Sequence, residues 1–243
     1  PAMLATVLAV LLLSVAFDAE HLRDRAFEAL SSVFYVNNWH NIATGASYLD
    51  QFNGPGPLDH MWSLAIEEQF YLLWPLLLWV LLKVLRRPWL VATATVLLAA
   101  ASFGWMWALA TPDVDPTSVY EGTDTRAGGL LLGAALAIIV AARRNAGKQV
   151  AASPVAGTLV GAVGFAGIIA LSMVVAQENM FLYKGGILLL NAATVLAIYA
   201  VLGTRGPWPA ILGWEPLRWI GERSYGIYLW HMPVIYFMPV SYT

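Results

Sequence analysis

Residues 58–75 read LDHMWSLAIEEQFYLLWP, and this stretch decides how the rest of the chain is interpreted. It places a histidine, two glutamates and a glutamine at the start of an otherwise apolar run that continues to about Lys83. Carboxylates close to a bilayer are costly unless they are paired or hydrated, so they usually mark a functional site. The stretch therefore predicts a membrane helix with chemistry at one end.

The composition of the 243-residue chain agrees with a membrane protein. Hydrophobic residues make up 59%, charged residues only 12%, and the mean hydropathy is +0.66, whereas a soluble domain has about twice that charged fraction. The chain has no cysteine, which excludes disulfides, thiolate catalysis and cysteine-ligated metals. A net charge of −2 and the lack of a Lys/Arg run argue against nucleic acid as a partner.

Seven apolar runs approach the roughly 20 residues that a helix needs to cross a bilayer. Only helices and closed barrels can span lipid, and these runs are too long and too uniformly apolar for barrel strands. They predict an all-α polytopic transmembrane helix bundle that forms a single domain over 1–243. The runs are residues 1–17, 64–83, 89–110, 127–142, 155–176, 185–203 and 220–238.

The loop charges predict an orientation, because Lys and Arg accumulate on the cytoplasmic side of membrane proteins. If Pro1 starts on that side, nine of the thirteen basic residues fall inside, and the only acids there are Glu215 and Glu222. The chain is then a multi-pass protein of the inner cell membrane, with the Leu58–Glu68 motif on the outer face. The nine basic residues are Lys83, Arg86, Arg87, Arg143, Arg144, Lys148, Arg205, Arg218 and Arg223.

The outer segment 18–61 divides into two parts. Residues 20–36 repeat apolar positions at helical spacing with charges between them, which predicts an amphipathic helix lying on the membrane interface. Residues 37–61 are rich in Asn, Gly and Pro and are interpreted as an irregular loop.

The motif itself has a helical periodicity. If a helix starts by about His60, then His60, Ser63, Glu67 and Tyr71 share one face, and Glu68 lies to the side. Such a stripe suits acid/base or acyl chemistry, in which an imidazole moves a proton and a carboxylate orients it. The purely structural alternative is that the two glutamates pair with Arg126 or lie in interfacial water.

Three strings in the chain resemble the signature of the integral-membrane acyltransferases of acyltransferase family 3. They are His60-x-Trp62-Ser63-Leu64-x-x-Glu67-x-Gln69-Phe70-Tyr71 ending at Pro75, Thr123-Asp124-Thr125-Arg126 running into Leu130-Leu131-Leu132-Gly133, and Ser224-Tyr225-Gly226-Ile227-Tyr228-Leu229-Trp230-His231-Met232-Pro233. Their order and spacing also match.

The resemblance implies a bundle of about ten helices that moves an acyl group, often acetyl, from a cytoplasmic coenzyme A thioester to a glycan or lipid-linked sugar outside. The seven runs correspond to the third to ninth helices, so the family's essential histidine and arginine pair are expected upstream of Pro1 and its last helix downstream. Partners are then acyl-CoA, the sugar acceptor and membrane lipid, and no bound cofactor is expected.

The resemblance also suggests roles for individual residues. Glu67 orients a histidine or binds acceptor hydroxyls, and His60 is a candidate proton carrier. Arg126 either anchors its helix end by snorkelling or stabilises an oxyanion, and His231 is either a packing residue or part of the transfer path. The substrate-binding candidates are Trp62, Ser63, Glu68, Tyr71, Arg126, Tyr228 and His231.

Other interpretations remain open. No His spacing predicts a metal site. A membrane transporter or flippase would use Glu67, Arg126 and His231 as a proton or substrate path, although no internal repeat is visible. A membrane scaffold without turnover is a third possibility.

Overall fold

The computed structural model describes residues 1–45, 56–112, 116–148, 150, 153–174, 179–202 and 206–238, and all regular secondary structure within them is helical. This confirms the predicted all-α class. The α-helices are α1 (Ala2–Phe17), α2 (Leu22–Val33), α3 (Asn37–Thr44), α4 (Met61–Leu85), α5 (Pro88–Leu109), α6 (Thr117–Glu121), α7 (Thr123–Asn145), α8 (Pro154–Val174), α9 (Ile187–Leu202), α10 (Trp208–Leu212) and α11 (Glu215–Phe237). A 3-10 turn, Ala19–His21, precedes α2, and a π-helical turn, Leu182–Gly186, precedes α9.

Five helical segments of the described chain are long and apolar enough to cross a membrane. In the part of the chain that the structure describes, all seven predicted runs fall on helices, but α1 and α11 do not meet this criterion by themselves. The first has 16 residues, and the N-terminal half of the second carries several charged side chains. The five segments are Met61–Leu85, Pro88–Leu109, Thr117–Asn145, Pro154–Met173 and Leu182–Leu202.

α1 continues into a second helical segment after a sharp bend. The axes of Ala2–Phe17 and Ala19–Val33 meet at 119°, and only together would they count as a sixth, broken span. The predicted helix over 20–36 is confirmed as α2 with its preceding turn, and its interfacial position stays a prediction.

The interpretation of 37–61 as an irregular loop is wrong for its first part, since residues 37–44 form α3. Gly45 ends this helix with φ +68°, a left-handed conformation that glycine adopts without steric cost. Residues 56–60 form the turn into α4, whereas residues 46–55 lie outside the described ranges. Arg205, one of the nine basic residues used to predict the orientation, also lies outside them.

The chain forms two compact units. The first comprises residues 1–71, 121–123 and the segment from Trp219, and the second comprises residues 72–120 and 124–218. That the whole chain acts as one domain stays a prediction.

The first unit has a core of apolar side chains from both ends of the sequence. Leu58 and Met61, at the entrance to α4, pack with α1, α2 and Leu229 of α11. Leu58, Val10 and Leu229 are fully buried. Burial of apolar surface therefore fixes the start of α4 beside the middle of α11.

The second unit is held by close helix packing. α8 and α9 approach so closely at Gly164 that a Cβ there would lie 2.6 Å from the Ala197 backbone nitrogen. Small residues at such positions let membrane helices pack backbone to backbone.

At the cytoplasmic end predicted for α5, Pro88 occupies the first helical turn, where its missing N–H costs no hydrogen bond.

Candidate functional site

A polar cluster joins the start of α4 to the middle of α11 inside the first unit. The Tyr228 hydroxyl donates to the backbone carbonyl of His60 at 2.5 Å. The Ser63 hydroxyl oxygen lies 2.6 Å from the Tyr228 hydroxyl oxygen. Since the single Tyr228 proton is used on the carbonyl, the Ser63 hydroxyl donates to Tyr228. These bonds fix the turn that carries His60 against α11.

The rings of His60 and His231 lie beside each other in this cluster, with centroids 4.9 Å apart and planes at 71°. The His60 side chain is buried, and neither of its ring nitrogens has a hydrogen-bond partner of normal geometry among the described residues. Burial, and then the proximity of His231, lower the pKa of His60 to about 4, an effect that the Leu229 backbone only partly offsets. His60 is therefore neutral near pH 7.

His231 is held in a defined tautomer. Its Nδ1 lies 2.6 Å from the backbone carbonyl oxygen of Tyr228. A carbonyl only accepts, so Nδ1 carries the proton and Nε2 of the neutral ring keeps its lone pair. Because the side chain is only half-buried, this nitrogen is the one in the pair suited to take a proton from a ligand.

The predicted polar face of α4 changes from buried to exposed along its length. Glu67 is exposed and Glu68 half-buried, and Tyr71 is 59% exposed. Glu67 makes no hydrogen bond or ion pair with any residue that the structure describes. Trp62, one of the substrate-binding candidates, is buried within the chain. The structure therefore joins Ser63 to His60 and leaves the Glu67 carboxylate unoccupied by protein groups.

A second polar network, which the sequence interpretation did not include, holds the next turn of α4. The Gln69 amide donates to the Tyr35 carbonyl at 2.7 Å and to the Asn38 side chain at 3.0 Å, and it accepts from the Thr123 hydroxyl at 2.6 Å. Asn38 also donates to Thr123 and to the backbone carbonyl of Glu121. The network fixes the helix that carries the two glutamates.

Glu121 is fully buried at this network, and its carboxylate accepts from the Asn41 amide at 2.9 Å. The stretch Asn37-Asn38-x-x-Asn41 is the signal for these contacts in the sequence, since two of its amides face the same partner segment. Asn37 itself donates to the Leu58 carbonyl and accepts from Ser31.

Arg126 lies on α7 in the second unit. Its Nε donates to the backbone carbonyl of Tyr120 at 2.8 Å, and its guanidinium lies over the Tyr120 ring, 4.3 Å from the centroid. These contacts anchor the start of α7 to the short helix α6.

A cluster of charged residues fixes the far end of α11. Arg25 bonds to both Asp18 and Glu28, and the Tyr236 hydroxyl donates to Asp18 at 2.7 Å. Burial alone would raise the pKa of Asp18, but hydrogen bonds with His21, Tyr236 and Arg25 outweigh it and lower that pKa.

The described residues contain no group of three or more His, Asp or Glu side chains placed to hold a metal ion.

The family model for the Acyltransferase domain of acyltransferase family 3 matches residues 2–239. This chain belongs to that family. Together with the five candidate membrane helices, the match makes it a multi-pass membrane protein, and the resemblance carried by the three sequence strings is confirmed.

Several curated relatives are similar over nearly the whole chain. The peptidoglycan O-acetyltransferase OatA of Listeria monocytogenes is 40% identical over 235 residues, which are 97% of this chain and 38% of that protein. The putative peptidoglycan O-acetyltransferase YrhL of Bacillus subtilis is 38% identical, over 97% of this chain and 37% of its own length. The O-acetyltransferase OatA of Staphylococcus aureus is 35% identical, over 100% of this chain and 40% of its own length.

The chain thus spans less than half the length of these relatives. No solved structure matches it.

Proposed function

We propose that this chain is the membrane domain of an O-acyltransferase that moves an acyl group, acetyl in the first instance, to a hydroxyl of an envelope polysaccharide or glycolipid. The observation that carries the proposal is the match of nearly the whole chain to relatives named as peptidoglycan O-acetyltransferases. A glycan built like peptidoglycan is accordingly the first acceptor to test. The acyl donor is a cytoplasmic acyl-CoA, of which acetyl-CoA is the simplest.

The histidine pair supplies the proton transfer that this reaction requires. A bond forms between the acceptor oxygen and the acyl carbon, the thioester C–S bond breaks, and the hydroxyl proton must move to a base and then to the leaving thiolate. The Nε2 atom of His231 is the proposed base, because its Nδ1 is already bound to Tyr228. His60 is the neutral partner that contacts the His231 ring and covers one side of it.

Glu67 is the proposed binding group for acceptor hydroxyls. It is exposed, and it follows Ser63 by one helical turn on the same face. Tyr71 lies one turn further and offers an exposed ring for stacking on a sugar. This surface is supported from within or beside it by Trp62, Ser63, Glu68 and Tyr228. For Arg126, which lies on the second unit, the family resemblance alone supports the proposal that it stabilises the oxyanion.

The loop charges support a proposed sidedness of the reaction. The Leu58–Glu68 motif is proposed to face the outside of the inner cell membrane, where the acceptor lies, with the CoA thioester delivered from the cytoplasmic side.

Because the resemblance implies essential residues outside 1–243, the proposal is tested with membrane vesicles that contain the full-length protein, supplied with acetyl-labelled CoA and a peptidoglycan fragment. We expect label on the glycan, a loss of about 100-fold or more for His231→Gln and Glu67→Gln, and no change for Glu215→Gln, an exposed acid at the start of α11.

Different negative results would contradict different parts of the proposal. Full activity of Glu67→Gln would remove Glu67 from the site. Label transfer from another acetyl donor, but not from CoA, would overturn the proposed donor alone. Passage of the glycan across the membrane without label transfer would favour a transporter.

A further inference from the structure

A cavity of about 370 Å³ lies in the second unit, remote in sequence from the polar cluster at His60. It is a half-open cavity lined by α5, α7 and the turn that leads into α9, and its apolar walls include Phe103, Met106, Leu132 and Leu188. Ligand pockets in proteins are commonly about 300–1,000 Å³. The cavity is thus large enough for part of a small or chain-like ligand.

Two glycines keep this cavity open. A Cβ built at Gly104 or at Gly185 would meet no atom within 4 Å. Gly185 has φ +145° within the π-helical turn, a conformation that favours glycine. The turn therefore displaces the backbone at the entry to α9 while leaving the space beside it unfilled.

Lys184 is the one charged residue among the described residues that line the cavity. Its Nζ donates to the Trp107 carbonyl at 2.8 Å and lies 4.3 Å from the centroid of the Trp107 ring. An ammonium group has three donors, and no carboxylate of the described chain forms an ion pair with Lys184. The cavity therefore combines apolar walls with a positive charge that has no acidic partner.

The position of this charge matches the headgroup level of a bilayer. Trp107 is near the end of the candidate span Pro88–Leu109, and Lys184 is near the start of the candidate span Leu182–Leu202. Trp107 is 57% exposed, and tryptophan is enriched where membrane meets water. Basic pockets between transmembrane helices bind anionic lipid headgroups at the cytoplasmic face, and Lys184 offers the same charge at the end of its span that the loop charges predict to be outside.

We propose that the cavity binds an anionic phospholipid of the surrounding bilayer. Its phosphate lies on the Lys184 ammonium, and one acyl chain enters between α5 and α9 beside Gly104 and Gly185. A zwitterionic lipid fits less well, because it brings a second cation to Lys184.

Photolabelling of the full chain in phosphatidylcholine vesicles tests this site. The probe is phosphatidylglycerol with a diazirine on one acyl chain, and the comparison probe is phosphatidylcholine with the same chain. We expect phosphatidylglycerol to label peptides around Phe103 and Leu188. Lys184→Gln should reduce this labelling about fivefold, the effect of one charge near a headgroup, and Lys184→Arg should restore it.

Filling the cavity provides a second variant that does not change charge. Gly104→Leu should reduce labelling by either probe, whereas Gly157→Leu on α8, where a Cβ also meets no atom within 4 Å, should not. Equal labelling by both lipids with no effect of Lys184→Gln would overturn the proposal. The absence of label from the two peptides, or full labelling of Gly104→Leu, would overturn it as well.

Discussion

The Tyr228 hydroxyl holds the backbone carbonyl of His60 at 2.5 Å, so a single side chain of α11 fixes the turn that begins α4. The Tyr228 hydroxyl oxygen in turn accepts a hydrogen bond from the Ser63 hydroxyl. The arrangement places the imidazoles of His60 and His231 in ring contact, and its energetic contribution can be measured.

Tyr228→Phe removes both hydrogen bonds while keeping the ring. We expect the free energy of unfolding to fall by about 1–3 kcal/mol, because the partners lose their donor or acceptor, and acyl transfer to fall about tenfold as the His60 turn relaxes. Tyr225→Phe is the matched control, since Tyr225 is 48% exposed on the same helix. Thermal unfolding in detergent and label transfer measure the two effects, and equal behaviour of both variants would contradict the arrangement.

The buried His60 should make stability depend on pH. Its pKa of about 4 in the folded chain lies below the ordinary 6.5, so the unfolded chain binds a proton that the folded chain does not. The free energy of unfolding should therefore fall as the pH decreases from 6.5 to about 4, by at most about 3 kcal/mol from this group. His60→Asn should flatten the slope relative to the parent in the same thermal scans, and superimposable slopes would show that His60 titrates normally.

The Asn38–Gln69 contact should be energetically coupled. Asn38→Ala and Gln69→Ala each leave buried partners unsatisfied and should cost about 1–3 kcal/mol. The double variant should be more stable than additivity predicts by about 0.5–3 kcal/mol. Thr6→Val with Asn38→Ala serves as the uncoupled pair, because the Thr6 hydroxyl bonds to the Ala2 carbonyl of its own helix. If the effects of Asn38→Ala and Gln69→Ala simply add, the two side chains are not energetically coupled and the network does not stabilise the fold as described.

The contact between α8 and α9 depends on the lack of a side chain at residue 164. Gly164→Ala places a Cβ 2.6 Å from the Ala197 nitrogen and 2.8 Å from the Ala193 carbonyl oxygen, so it should destabilise the second unit by about 1–3 kcal/mol. Gly157→Ala on the same helix meets open space and should be neutral or stabilising by up to about 1 kcal/mol. If both variants unfold at the same temperature, the helices are not in this close contact.

Hydropathy was sufficient to locate the long apolar helices, because an apolar run of membrane length has few alternatives to a helix. It could not locate α3, whose asparagines favour turns in isolation. This helix is stabilised by partners distant in sequence, since Asn41 bonds to Glu121 and Asn38 to Thr123. Asn38 and Asn41 are spaced by about one helical turn, but neither segment reveals which distant residues its side chains bind.

In the candidate site, too, the local sequence predicts which residues matter but not the contacts that they make with distant parts of the chain. Helical spacing and family resemblance singled out His60, Ser63, Tyr228 and His231, and the structure brings these four together. The tautomer of His231 could not be predicted, because it depends on which carbonyl its Nδ1 reaches. Nor could the bond between Arg25 and Tyr236, which are 211 residues apart.

The separation of 168 positions along the chain between His60 and Tyr228 also sets an order of events during synthesis. At about 5–20 residues per second, the ribosome completes α11 roughly 10–30 s after the turn at His60 has been made. During that interval the His60 carbonyl and the apolar side chains around Leu58 lack their α11 partners. The nascent chain therefore depends on water, lipid or a chaperone to cover this surface until α11 has been made.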